Sequence, residues 1–172
     1  MFQVLNGNKI NKGFSIIEMM IVVGIIILAF IAILSAVAFF LKNSVSIKMN
    51  NQANELAQEA IEAVRSFRKQ TQWSINGLGS LNTSDSYYYH PELKFQSTGG
   101  FYYWDLVPGI ETIEVFSRKI MFRKVSRNPI NQTIEQTYNP SNDDPNTRKV
   151  IVSVSWGNNN LELITYFTNW KK

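Results

Sequence analysis

Cysteine is absent from this 172-residue chain, and histidine occurs once, as His90. The lack of cysteine excludes disulfides, thiolate metal sites and a cysteine nucleophile. With a single histidine beside Pro91, neither a histidine-based triad nor a histidine-rich metal site is expected. The pair Gly77 and Gly79 lacks the third glycine and the preceding strand of a nucleotide-binding fingerprint. We therefore expect no enzymatic activity and no cofactor.

Charge and proline are scarce in the first half of the chain. No charged residue occurs from Met19 to Leu41, and no proline occurs from Met1 to His90. As a helix, the uncharged run would reach roughly 35 Å, enough to cross a hydrocarbon core of about 30 Å. A secretory signal peptide is the alternative, but its apolar core is typically only ~7–15 residues long. The run therefore predicts a spanning or anchoring helix.

One carboxylate, Glu18, stands directly before this run. Ser15 and Glu18 have the spacing of a capping box, which would account for the acid as part of the first helical turn. An ionised carboxylate in the bilayer costs about 3 kcal/mol, however, and a helix N-terminus returns only ~0.3–1 kcal/mol. Cleavage between Gly13 and Phe14 would create an α-amino group four residues before Glu18, on the same helical face. That amine, from this chain or a neighbouring subunit, could pair with Glu18 and align one helix against the next.

The segment Lys12-Gly13-Phe14-Ser15-Ile16-Ile17-Glu18 resembles the class III signal sequence of type IV pilins and pseudopilins. The resemblance implies that a prepilin peptidase cleaves after Gly13 on the cytoplasmic face and N-methylates Phe14. It also implies that Glu18 is the assembly glutamate. Residues 56–65 resemble the helix continuation of minor pilin-like proteins. Two features of many major pilins, a helix-kinking proline and a C-terminal disulfide, are missing.

The function implied by this resemblance is structural. The chain would be a minor pilin or pseudopilin in a type IV pilus-like or type II secretion-like filament, with other such subunits as partners. Before assembly it would be a single-pass protein of the cytoplasmic (inner) membrane with a cytoplasmic N-terminus; afterwards it would belong to a cell-surface or periplasm-spanning filament. The alternative is an anchored binding module that never assembles, for example one that captures DNA.

The pattern after residue 41 predicts an α+β fold, in which a long N-terminal helix packs on a C-terminal antiparallel β-sheet. Apolar residues recur at helical spacing from Ala53 to Phe67, and glycines follow the expected helix end near Trp73. The predicted organisation is a removed leader (1–13), a transmembrane or filament-core half of the helix (14–41), an amphipathic half (42–73) and a β domain (74–172).

Alternating apolar residues predict the strands of this β domain. Short aromatic strands are expected at Tyr87–Tyr89 and Gly100–Trp104, and a longer strand at Glu114–Val125. Lys149–Thr168 is expected to form an antiparallel hairpin that turns at Gly157 and buries Val150, Val152 and Val154 on one face. A polar, proline-containing loop is predicted for residues 127–147.

Three groups of residues in the β domain could bind a ligand. The basic segment 118–127 could contact DNA, although its charges would divide between two strand faces and the net charge of +4 is modest. Residues 142–146 could supply oxygens to calcium, although two carboxylates fall short of the usual six to eight ligands. The aromatics from Tyr87 to Trp104 could stack on sugars or bases, although short strands commonly bury such residues in their core.

Overall fold

The computed structural model describes residues 13, 15–97 and 99–170. The predicted leader, apart from Gly13, therefore lies outside the described residues, as does Phe14. The helix and strands are, in chain order, α1 (Ile16–Gln70), β1 (Tyr89–Gln96), β2 (Phe101–Pro108), β3 (Glu111–Ile113), β4 (Phe116–Ser126), β5 (Asp143–Trp156) and β6 (Asn159–Thr168), with a 3₁₀ turn at Pro140–Asn142. One long helix packed on an antiparallel sheet confirms the predicted α+β layout.

The helix α1 is continuous over 55 residues, as the absence of proline allows. The described residues form two compact units that divide between Ile47 and Lys48. Residues 16–47, here called the apolar half of α1, bury no side chain within the structure. Residues 48–70, here called the amphipathic half, bury one stripe, and its members are Ala53, Ala57, Ala60, Ala63, Val64 and Phe67.

This stripe agrees with the predicted apolar periodicity, with two differences. Ala63 joins it, whereas Leu56 and Ile61 are only partly buried at its margins. The helix ends at Gln70, three residues before the predicted position. The hydroxyl of Thr71 donates to the carbonyl oxygen of Phe67 at 2.7 Å, so that a side-chain donor satisfies this carbonyl at the end of the helix.

All strand pairs are antiparallel, and the sheet order is β2-β1-β4-β5-β6, with β3 paired to the start of β4. The predicted β5–β6 hairpin is confirmed, with Val150 opposite Thr165 and Val154 opposite Leu161. Its valine face is fully buried beneath the alanine stripe of α1, together with Ile120 and Phe122 of β4. Small alanine side chains allow the helix to approach these larger sheet residues closely.

Several predicted strand limits were wrong. β1 extends through Pro91. Only Tyr89 of β1 pairs with β4, so the side of Pro91 that faces away from β2 has no strand beside it, and the missing amide hydrogen of proline is tolerated there. The predicted strand start at Glu114 is instead a turn with φ +54° between β3 and β4. β5 begins at Asp143 because the pairing with β4 resumes beyond a β-bulge, at Ser126, and this shortens the predicted 127–147 loop.

Arg118 is the largest fully buried side chain among the described residues, and it joins the sheet to α1. Its Nε and Nη2 donate to Glu111 of β3 at 2.9 and 2.6 Å. Its Nη1 donates to the backbone carbonyl of Leu56 at 3.0 Å and lies 3.4 Å from a carboxylate oxygen of Glu59. Only 2% of this side chain is exposed, so the charge is stable there because these four contacts replace water.

Removal of this guanidinium should destabilise the sheet unit (residues 48–170). We expect Arg118→Ala to lower the free energy of unfolding by about 2–3 kcal/mol, because charged hydrogen bonds are lost and Glu111 keeps a poorly solvated carboxylate. Arg65→Ala is the matched control, since the Arg65–Glu62 pair is exposed and worth less than about 0.5 kcal/mol. Denaturant unfolding followed by tryptophan fluorescence measures both, and equal losses would contradict the assignment.

Candidate processing and assembly site

Gly13 lies in open space at the start of the described chain. It is exposed, and a Cβ built on it would meet no atom within 4 Å. No described residue therefore requires glycine at this position.

Ser15 precedes the first helical residue, and its backbone carbonyl accepts from the amides of Glu18 at 3.0 Å and Met19 at 3.2 Å. The predicted capping box is wrong in its side chains, because neither the Ser15 hydroxyl nor the Glu18 carboxylate makes the reciprocal hydrogen bond. Glu18 is exposed, and among the described residues no cation lies within ion-pair distance of it. The carboxylate is thus left available for a partner outside the described residues.

From Met19 to Leu41, the apolar half of α1 presents hydrophobic side chains around its whole circumference. Within it, the best 18-residue window has a mean hydropathy of 3.1, and none of that window is buried. Ile16 is 82% exposed and Leu34 is 66% exposed. A water-facing helix keeps at least one polar face, so this surface suits a membrane or a close assembly of similar helices. By length and composition α1 can cross a membrane.

The basic segment 118–127 is largely neutralised by acids from other parts of the fold. Arg118 is buried against Glu111 and Glu59, Arg123 pairs with Asp85 at 3.0 Å, and Arg127 pairs with Asp144 at 2.6 Å. Contacts with carbonyl oxygens hold Arg123 and Arg127 further.

Lys119 lies 4.7 Å from the ring centre of Tyr88. Lys124 is an even number of residues from Arg118 along β4, yet it is exposed while Arg118 is buried, because a β-bulge interrupts the register next to Lys124. The segment therefore offers nucleic acid fewer available cations than its sequence indicates.

The candidate calcium ligands of residues 142–146 are occupied by protein donors. Asp144 accepts from Arg127 at 2.6 Å and from the backbone amide of Asn146 at 3.0 Å. Asp143 accepts from the hydroxyl of Tyr138 at 2.9 Å. Within the described ranges no group of three or more histidine or acidic residues could hold a metal ion. The geometry supports a structural role for both carboxylates.

The aromatic segment divides between core and surface. Tyr89 is buried, as the core interpretation requires, and its hydroxyl accepts from the amide of Asn82 at 3.0 Å. Phe95 and Tyr102 are 56% and 67% exposed, and their ring centres lie 5.0 Å apart. Burial in the core therefore explains only part of this segment, because the β1–β2 hairpin extends its outer end into solvent.

No protein-family model, curated protein or solved structure matches this chain. The interpretation of the site therefore depends on the residues and their geometry.

Asp144 should make the stability of the sheet unit dependent on pH. Burial by itself raises the pKa of its carboxyl, but hydrogen bonds from Thr147, Arg127 and the Asn146 amide outweigh burial and hold that pKa below the usual aspartate range. A depressed folded-state pKa gives stability that is present above the unfolded-state pKa and is lost as pH falls through the folded value. We expect Asp144→Asn to remove this contribution, so that the difference in unfolding free energy from the original chain shrinks as the solution is acidified below about pH 4.

Asp85→Asn is the matched control for this measurement. Asp85 also pairs with an arginine, but its side chain is 94% exposed. Its substitution should change the free energy of unfolding by less than about 1 kcal/mol at any pH. A pH-independent difference between Asp144→Asn and the original chain would contradict the role given to Asp144.

Proposed function

We propose that this chain is a structural subunit of a type IV pilus-like or type II secretion-like filament, a minor pilin or pseudopilin. A prepilin peptidase removes residues 1–13 and methylates the new N-terminal Phe14. The chain is held in the cytoplasmic membrane with its N-terminus on the cytoplasmic side until the apolar half of α1 packs among the same helices of other subunits.

The observation that carries this proposal is the change of surface along one unbroken helix. The amphipathic half of α1 buries its stripe against the sheet, and the alanines of that stripe are fully buried. The apolar half has no such cover among the described residues. A membrane keeps that apolar surface out of water before assembly, and neighbouring apolar helices cover it afterwards. A helix that only anchored a domain would need the first environment but not the second.

Glu18 supports assembly over simple anchoring. Its carboxylate lies at the start of the apolar half without a cationic partner within the described chain. Carrying such a charge into an apolar environment is costly unless an opposite charge meets it. The α-amino group formed by cleavage at Gly13 would supply that charge, so that processing and assembly become linked steps. An anchored binding module has no use for either feature.

Mass spectrometry of the purified mature protein tests the processing step. The expected N-terminus is Phe14 carrying one methyl group. Gly13→Val should leave the precursor uncut yet folded, because the structure has open space at that position. Asn8→Ala, a change within the leader but outside the motif, is the control and should be processed normally. A mature chain that begins elsewhere, or a Gly13→Val chain cut after residue 13, would refute the proposed processing.

Substitution of Glu18 tests the assembly step in cells that carry the filament machinery. Glu18→Ala and Glu18→Gln should be cleaved at Gly13 but enter filaments at least about tenfold less, since a lost ion pair of about 1.4 kcal/mol already has that effect. Ser35→Ala is the control, because the Ser35 hydroxyl bonds only to the carbonyl of Ile31 in its own helix. Quantitative immunoblotting of sheared filaments gives the ratio. Normal incorporation of both Glu18 variants would exclude the proposed role of Glu18 in aligning neighbouring helices.

A further inference from the structure

A cleft lies between the C-terminal end of α1 and the edge strand β2. Its volume is about 570 Å³, within the range of small-molecule sites in proteins. Aromatic side chains form much of its wall, and they are Phe67, Phe101, Tyr103 and Trp104. β2 has a neighbour on only one side, so residues from both of its faces can reach the cleft.

The three aromatic side chains from β2 are accessible to a ligand, whereas Phe67 is buried. Phe101 is 49% exposed, whereas Tyr103 and Trp104 are half-buried and so have fixed surroundings. Neither the indole N–H of Trp104 nor the hydroxyl of Tyr103 makes a hydrogen bond within the described chain. Buried or half-buried tyrosine and tryptophan usually satisfy these groups. The cleft therefore combines apolar ring faces with unused polar groups.

Side-chain amides complete the cleft, and each keeps bonding capacity. Asn76 accepts from the amide of Gln72 at 2.8 Å through its oxygen, which leaves both of its N–H donors. Gln70 donates to Ser66 at 3.1 Å, which leaves its carbonyl oxygen. The side chain of Gln96 makes no hydrogen bond to a described residue. Amides that both donate and accept converge on the same aromatic wall.

The cleft has little net charge to offer. Its one ionisable acid is Asp105, whose two oxygens accept from Lys94 at 2.5 Å and from the amide of Leu106 at 2.8 Å. No lysine or arginine is among the lining residues. An anionic ligand would find no cation in the lining, since the nearby Lys94 is paired with Asp105, and a cationic ligand would find a carboxylate that is already paired. Electrostatics thus favour a neutral ligand.

We propose that this cleft binds a neutral saccharide. A sugar ring carries an apolar C–H face, which fits an aromatic ring, and hydroxyl groups, which both donate and accept as the side-chain amides do. A peptide added along the edge of β2 would instead depend on backbone hydrogen bonds and would leave these amides unused. This binding function goes beyond filament assembly and does not require it, since every residue involved belongs to the sheet unit.

The test uses the full chain in a detergent without a sugar headgroup. An array of neutral oligosaccharides built from glucose, galactose and N-acetylglucosamine, together with sialylated and sulfated oligosaccharides, identifies a ligand, and isothermal titration calorimetry measures its affinity. We expect saturable binding to at least one neutral oligosaccharide. Trp104→Ala and Gln96→Ala should each weaken that binding by about tenfold through loss of a stacking face or of a polar partner.

Tyr102→Ala is the matched control, because Tyr102 is an exposed aromatic of the same strand that does not line the cleft. The Tyr102→Ala chain should bind the oligosaccharide with the same affinity as the original chain. Gln96→Ala alters an exposed side chain, so it remains decisive even if Trp104→Ala unfolds. The proposal is overturned if no neutral oligosaccharide binds, if sialylated or sulfated sugars bind better, if Gln96→Ala binds normally, or if Tyr102→Ala loses binding.

Discussion

The unbroken backbone of α1 is the constraint on which the other features of this protein depend. A helix satisfies its backbone amides and carbonyls internally, so it can pass from an apolar environment to water without exposing unpaired groups. What changes along α1 is only the side-chain surface, which is apolar all round from Met19 to Leu41 and apolar on one stripe from Ala53 to Phe67. The same secondary structure therefore suits an apolar environment along one part of its length and a sheet along the other.

The sheet unit depends on a second interaction, in which buried arginines donate hydrogen bonds to oxygen atoms of other elements. Arg118 binds β3 and the backbone of α1, whereas Arg148 donates to the carbonyl of Gly79 at 2.9 Å and so holds the loop that follows the helix. Trp73 of that loop donates to the carbonyl of Pro145 at 3.0 Å. Arginine suits this work because its planar donors can meet several acceptors at once. A cysteine-free domain thereby fastens its loops by hydrogen bonds.

The features that were predicted correctly are those with a strong local period. The alanine stripe of α1 and the valine face of β5 follow from helical and strand periodicity, because each buries one face. Strand limits near Pro91, Glu114 and Asp143 were missed, since bulges, an open edge and a positive φ depend on the neighbouring strand. The number of available cations in the basic segment 118–127 was overestimated for a related reason. The acidic partners of this segment lie on other elements of the fold: Glu111 on β3, Asp144 on β5 and Asp85 in the loop before β1.

The candidate site shows the same division. By itself the sequence determined that a membrane-length helix begins beside a lone carboxylate and a possible cleavage point, because length, charge and spacing are properties of the chain. Only the tertiary structure decided that the capping hydrogen bonds of Glu18 do not form, that the acids of residues 142–146 are already bonded, and that aromatic and amide side chains meet in one cleft. The cleft depends on distances between residues remote in sequence, and the hydrogen bonds depend on side-chain geometry; folding sets both.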